Sequence, residues 1–470
     1  MLGLPQNRYH QHLQAQEKPK CTTHGKETFC THIPLINITT KETVPAPFLY
    51  NEDGSRTLNN KMVQASVQYF DNQEYNNHLT DTPTVSEHAL IRTRGRSSRG
   101  FDKQGYLLKF MEADFLNNKK VSLSGMTADS DWVLHGPFLD KTLIRNYLCY
   151  NLAGEIMDYS PNVRFCEIFI NGTYKGLYLL TEKIEYNDEG RIKFTETDPD
   201  LPATSYIVKL DEEGENPLYS LNTFSEYSGK NGPRKRGSNK LEIIYPNKTL
   251  TLEQKEYIEA EISRFEKALV SFDSADKNYG YPSFIDTASF VDYFIINEFT
   301  MNSDAARLST FFYKDITGKL KITVWDFNSA FDNYLPVMSE PHYFMMTDKF
   351  WYEYMLRDQD FSNKIIYRYN ALRKTYLSDE YLVEYIDETI AYLGDAIDRN
   401  YEVWGYSFSQ EEDMLIPTER NPRNFEEAVA DLKQSIIKRG EFLDANIETL
   451  KSLSHDSINK QFNHDVGGRS

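Results

Sequence analysis

The chain has 470 residues, 40% hydrophobic and 14% aromatic, so it can bury a large core and is not a disordered polymer. Its 70 acidic residues against 52 basic ones give a net charge of -18, which argues against nucleic acid as a general partner. No apolar run approaches the roughly 20 residues of a membrane-spanning helix, and the first residues lack the continuous apolar stretch of a signal peptide, which leaves the compartment open.

Residues 1–31 are polar and expected to be loose. "HIPLINITT" (32–40) and "KMVQASVQYF" (61–70) read as strands, the second through its alternation of Val63, Ala65, Val67 and Tyr69. "SEHALIRTRG" and "RSSRGFDKQGYLLKFM" form strand, Gly/Ser turn, strand. "GPFLDKTLIRNYLCYNLAGEIMDYSP" (136–161) carries Ile144, Tyr147, Leu148 and Leu152 on one face, which predicts an amphipathic helix from near Asp140, ended by Pro161. "VRFCEIFINGTYKGLYLLTEKIE" (163–185) is a hairpin turned at Asn171-Gly172. "SYIVKLDEEG" and "KLEIIYP" are further strands. The Gly-, Ser- and Lys/Arg-rich segment 225–240 is a loop, or a basic arm for an anionic partner.

Downstream the pattern turns helical. Thr251 and Gln254 stand at the spacing of a capping box, and 283–302 reads as a second helix. The stretch "EFTMNSDAARLSTFFYKDITGKLKITVWDFNSAF" (298–331) follows, with Asp315 in a turn between two strand-like runs and Asp304 and Asp326 flanking them. Several bundle helices complete the chain, and the residues from about Ser454 are a polar tail. Strands crowd the first half and helices the second. This predicts an α+β, two-lobed arrangement: a β-rich lobe over 32–250, a helical lobe over 251–453, and tails at 1–31 and 454–470.

The four cysteines carry little signal. Cys21 and Cys30, with His24 and His32, are compatible with free thiols, a disulfide or, least of all, zinc, since the spacing is not a common finger. Cys149 and Cys166 fall in a helical and a strand-like run and read as core residues.

The order of parts is informative. A Gly/Ser turn is followed by a Lys-bearing strand, a helix, a hairpin, then a long helix with an aspartate after it, and a second aspartate after another hairpin. The phosphate-handling parts of a protein-kinase-like phosphotransferase run in this order. The blocks "IRTRGRSSRGFDKQGYLLKF", "LDKTLIRNYLCYNLA", "EIFINGTYKGLYLLTEKIE", "YIVKLDEEG", "EFTMNSDAA" and "VWDFNSAF" resemble, in order, those of the spore-coat protein H (CotH) kinase family. The resemblance covers roughly 32 to 450. It implies an atypical kinase fold that moves phosphate from ATP, with Mg²⁺ or Mn²⁺, onto a protein acceptor, the chain itself included. It also suggests a bacterial spore coat or extracytoplasmic surface.

Within that resemblance, Asp304 takes the acceptor-side carboxylate position, where it would orient a hydroxyl and receive its proton. Asp326 takes the metal position. Arg94, Ser97, Ser98 and Arg99 form a turn suited to phosphate. Lys109, on the face opposite Leu108 and Phe110, is the lysine for the ATP phosphates, with Lys103 as competitor. Glu155 is the carboxylate expected to hold Lys109, and Glu182 matches a family glutamate whose main chain would meet adenine or which forms a structural ion pair. Asp140 and Arg145 also match and would serve to fix the helix; Asp211 matches without an assigned role. Two positions depart from the pattern. Ser309 stands where a kinase has a metal-binding Asn, and Asn328 where the family usually has a second Asp. Both weaken the expected metal site, and Asn302 or Asn328 would have to compensate. The alternatives are therefore a catalytically weak binding module and an AMP-transferring relative.

Overall fold

The computed structural model describes residues 28–198, 201–211, 216–218, 240–333, 343–349, 351–409 and 421–455. Cys21, His24, the segment 225–239 and the tail from 456 lie outside these. The class is α+β. The chain forms two compact units: residues 1–151, 161–183 and 383–431 in the first, and 152–160, 184–382 and 432–470 in the second.

The first unit is built on a feature the sequence did not announce, a closed barrel. Its strands are β1 (Leu35–Thr40), β4 (Val63–Phe70), β5 (Val85–Arg94), β6 (Gly105–Met111), β7 (Asp131–His135), β8 (Val163–Ile170) and β9 (Thr173–Glu182), arranged β1-β4-β5-β6-β7-β9-β8. A small hairpin, β2 (Phe48–Tyr50) with β3 (Arg56–Leu58), stands apart. Every barrel pairing is antiparallel except the closing one, where Leu35 to Ile38 lie parallel to Glu167 to Ile170. Closure removes exposed edges. Alternation along each strand sends Val63, Ala65, Val67 and Tyr69, then Leu108 and Phe110, into the interior, where Trp132 is fully buried among them. Asn171 (φ 50°) and Gly172 (φ 75°) turn β8 into β9, as the Asn-Gly pair predicts.

The helix predicted from Asp140 begins five residues later, as α1 (Arg145–Ile156). The buried Asp140 carboxylate accepts from the main-chain N–H of Thr142 and of Arg145 (2.8 Å), and from the Arg145 guanidinium at 2.6 Å. It therefore holds a non-helical turn, through Leu143 at φ 66°, and caps the helix that follows.

The second unit has a four-stranded antiparallel sheet of order β11-β10-β12-β13: β10 (Tyr206–Asp211), β11 (Lys240–Tyr245), β12 (Thr310–Lys314) and β13 (Lys321–Thr323). Helix α2 (Leu252–Leu269) opens with the capping box formed by Thr251 and Gln254. Helix α3 (Thr287–Phe299) starts at Asp286, whose side chain accepts from the Ser289 N–H. The one-turn α4 (Tyr352–Met355) and α5 (Gln359–Leu372) follow; of α6 (Asp379–Leu393) the residues from 383, and all of α7 (Asp395–Trp404), belong to the first unit, and of α8 (Phe425–Asn446) the residues from 432 belong to the second. At the end of α3, Glu298 forms a buried polar brace. Its carboxylate accepts from the N–H groups of Met345 (2.7 Å) and Met346 (2.8 Å) and pairs with the fully buried Arg439 of α8. Arg439 also donates to the carbonyls of Glu298 and Tyr343, both at 3.0 Å.

Candidate active site

The two aspartates that the sequence singled out lie on loops that are stitched together within the second unit. The loop after α3 contributes Thr300 to Asp304, and the loop after β13 contributes Asp326 to Phe331. Asn302 donates its amide to the Asp326 carbonyl (3.3 Å) and accepts the Ser329 hydroxyl (3.1 Å). The hydroxyls of Ser303 and Ser329 meet at 3.1 Å, and the Phe331 N–H donates to the Thr300 carbonyl at 2.6 Å.

The backbone departs from ordinary preferences here: of the eleven non-glycine residues with positive φ among the described residues, six lie between Met301 and Asp332, Asp326 (φ 62°) and Ser309 (φ 49°) among them. Such a concentration of left-handed positions marks a stretch whose shape is imposed by its surroundings, as at ligand clamps and active sites.

The hairpin explains how the remaining parts converge. Phe311 lies opposite Thr323, so continuing the antiparallel register by two residues sets Ser309 against Trp325. Ser309 and Asp326 thus leave the same end of the hairpin. The Asn328 N–H donates to a carboxylate oxygen of Asp326 at 3.2 Å, and Asn333 holds the Asn328 carbonyl at 2.7 Å. Asp304 is partly exposed and pairs with Arg307 at 2.7 Å. Lys349 donates to the Ser303 carbonyl at 3.1 Å. Burial holds its ammonium below the ordinary lysine range; Asp348 and, more weakly, Asp304 pull it back up, while Arg307 adds to the fall.

The oxygens of the expected metal position are the Asp326 carboxylate and the neutral side chains of Asn302, Asn328 and Ser309. This hard-oxygen set suits Mg²⁺ or Mn²⁺ rather than a soft metal. Among the described residues no three His, Cys, Asp or Glu side chains gather as a metal cage. A cation held by Asp326 with Asn302 or Asn328 would therefore take its other ligands from phosphate and water, the usual arrangement for magnesium.

In the first unit, the outer face of the barrel carries a group of cations. Leu90 pairs with Lys109 and Arg92 with Leu107, so Lys109, Arg92 and Arg94 share the face opposite the buried Leu108 and Phe110. Lys109 is held by Asp131 of β7 at 2.9 Å, and Lys183 meets the other oxygen of that carboxylate at 3.0 Å. Burial raises the Asp131 pKa, but Lys183 and Lys109 outweigh it and hold the carboxyl below its ordinary range. Asp131 and Lys183 were not singled out from the sequence. The signal for Lys183 was its place at the end of the hairpin, in "LTEKIE"; Asp131 had none beyond starting an apolar run.

The other predicted residues fall out differently. Glu155 does not supply the partner of Lys109: it belongs to the second unit, where it hydrogen-bonds Tyr376. Lys103 is closed to any phosphate, being 1% exposed with its ammonium on the Asn400 side-chain oxygen at 2.7 Å. Arg99 is also buried and ties the carbonyls of Gly95 and Asn59, each at 2.8 Å, so it shapes the turn instead of offering a fork to a ligand. Burial, then Arg92 and Arg94, push its pKa down to about 10. Ser97 and Ser98 open a one-turn 3-10 helix, with Gly95 at φ 114° before it. A Cβ on Gly95 would lie 2.0 Å from the Ser98 hydroxyl oxygen, so this turn requires glycine. The Glu182 carboxylate accepts from the N–H (2.9 Å) and amide (3.1 Å) of Asn162, and its own N–H donates to the Asn162 carbonyl. That N–H is committed within the fold and does not serve adenine. Asp211 pairs with Lys209 at 3.1 Å.

Residues 91–443 match the family model described as CotH kinase protein. The chain belongs to the CotH kinase family. The match spans the cation group, the Asp304 and Asp326 loops and the Arg439 brace. A comparison with curated proteins gave no match. Membership in the CotH family carries a kinase-like function, and the uncharged Ser309 and Asn328 are the points at which this member departs from the pattern given above.

Proposed function

We propose that this CotH-family chain is an ATP-dependent atypical protein kinase with a two-lobed kinase-like architecture, transferring the γ-phosphoryl group to a protein Ser/Thr or Tyr hydroxyl. The observation that carries this reading is the set of hydrogen bonds joining the Asp304 and Asp326 loops, which supports an acceptor-side and a metal-side carboxylate acting on one reaction. Asp304 orients the acceptor hydroxyl and receives its proton as the new oxygen–phosphorus bond forms and the bond to the ADP oxygen breaks. A bound Mg²⁺ or Mn²⁺ would supply charge neutralisation to the phosphates. Asp326, with Asn302 or Asn328, would hold that ion. Lys109, fixed in place by Asp131, and its neighbours Lys183, Arg92 and Arg94 steady the phosphate oxygens.

A second reading rests on a specific feature. With Asn328 and Ser309 uncharged, Asp326 is the sole carboxylate of the expected metal positions, which favours a catalytically weak binding module or transfer of AMP in place of phosphate. Intact-mass measurement after incubation with ATP and Mn²⁺ or Mg²⁺, beside Asp304→Asn and Asp326→Ala, separates these readings. A phosphate-sized gain in the wild type and none in either variant is the expected result. An AMP-sized gain moves the assignment to nucleotidyl transfer. No gain, together with no calorimetric ATP binding with either metal, refutes catalysis.

A further inference from the structure

Away from the two aspartate loops, the second unit holds a cavity of about 180 Å³ lined by its sheet, α2 and the segment before α3. The apolar wall is Ile262 and Phe265 of α2 with Phe284 and Leu320. This wall is fixed in place, since the Leu320 N–H donates to the Phe284 carbonyl and the Asp286 N–H to the Leu320 carbonyl, both at 2.9 Å. On the sheet side stand Tyr206 and Lys314, directly opposite each other on β10 and β12. Tyr206 is 1% exposed, yet its hydroxyl hydrogen-bonds none of the described residues; the Lys314 ammonium meets its ring instead, 5.9 Å from the centroid. Burial, then the nearby Glu261 carboxylate, pushes the Tyr206 pKa well up, so the group stays an O–H donor at any working pH. A buried hydroxyl without a partner costs free energy that a ligand's polar atom recovers.

Size and charge narrow the ligand. An apolar cavity of about 150 Å³ takes a benzene ring, so about 180 Å³ holds one ring with a small substituent and nothing of nucleotide size. The two charged groups on the wall, Glu261 and Lys314, pair with each other at 2.8 Å and so favour a neutral molecule over an ion. We propose that this cavity binds a neutral single-ring phenol or aromatic alcohol, its ring among Ile262, Phe265, Phe284 and Leu320 and its hydroxyl on that of Tyr206. The site is distinct from the candidate active site: Lys314 ends β12 and Ser309 precedes it, about 17 Å apart along an extended strand. The proposal stands whether or not the chain transfers phosphate.

The test titrates the full chain with 4-fluorophenol, fluorobenzene and 4-fluorobenzoate, followed by fluorine NMR of the ligands. 4-Fluorophenol should bind saturably with a Kd below about 5 mM, and 4-fluorobenzoate about tenfold more weakly, because its charge has to be desolvated. Tyr206→Phe removes only the hydroxyl. It should weaken 4-fluorophenol by about fivefold, the worth of one neutral hydrogen bond, and leave fluorobenzene unchanged. The same variant should not lower the urea midpoint, since no bond of the fold is lost. Excess ATP with Mn²⁺ should not displace 4-fluorophenol. Absence of saturable binding, equal affinity of wild type and Tyr206→Phe for 4-fluorophenol, or tighter binding of the benzoate than of the phenol overturns the proposal. Displacement by ATP overturns it by assigning the ligand to the nucleotide. A lower urea midpoint in Tyr206→Phe overturns it by showing that the hydroxyl already serves the fold.

Discussion

Removing the Glu298 carboxylate tests the brace beneath the candidate site. The side chains of Glu298 and Arg439 are 1% and 0% exposed, so Glu298→Ala leaves a guanidinium in the interior without its counter-charge. It also strands the N–H groups of Met345 and Met346. Breaking a buried ion pair from one side costs about 3–5 kcal/mol, and the lost main-chain bonds fall within that range rather than adding to it. With a urea slope of about 2–3 kcal/mol per molar for a unit of this size, the midpoint should fall by about 1–2.5 M. Tryptophan fluorescence is the assay, since Trp325 and Trp351 lie in the second unit and Trp132 and Trp404 in the first. The unfolding transition should move to lower urea. Glu298→Leu combined with Arg439→Met should cost less than either single change, because no charge is then left uncompensated. A shift below about 0.3 M in Glu298→Ala, or a double variant worse than both singles, would refute this account of the brace.

Two further outcomes follow from the same reasoning. Hydrogen bonds from Thr195 and Thr317 outweigh burial at Asp315 and hold its carboxyl down to about 2. A carboxyl depressed in the fold stabilises above its unfolded value of about 3.9 and loses that contribution as pH falls toward about 2. The stability gap between wild type and Asp315→Asn should therefore be full at pH 6 and close between about pH 4 and pH 2, as read by urea midpoints across that window. In the cation group, Lys109→Met leaves Asp131 with Lys183 and removes the ammonium proposed above to meet the ATP phosphates. ATP affinity by calorimetry should fall about tenfold or more, while the circular dichroism spectrum is unchanged; unaltered affinity would remove Lys109 from the nucleotide.

Much of the local structure was legible from the chain alone. The alternation around Lys109 assigned its face, Asn171-Gly172 marked a hairpin, and Thr251 with Gln254 marked a helix start. These rules act over two to four residues, where side-chain direction and backbone torsion decide the outcome. Strand β7 escaped because "DWVLH" is buried along most of its length and does not alternate. The start of α1 was misplaced because Asp140 bonds the Arg145 N–H and so caps a helix five residues away.

The sequence by itself determined most of the element types, the parity of β4 and β6, and the family, since six ordered blocks are hard to meet by chance. Only the tertiary structure decided who meets whom. Barrel closure pairs Leu35 with Glu167, and no local rule links residues so far apart. The register of β6 with β7 gave Lys109 to Asp131, and the fold placed Glu155 beside Tyr376. The Asn302 and Ser329 bonds that join the two aspartate loops depend on α3 and the β12–β13 hairpin ending side by side. Propensity is read along the chain, whereas partners are chosen by packing across it.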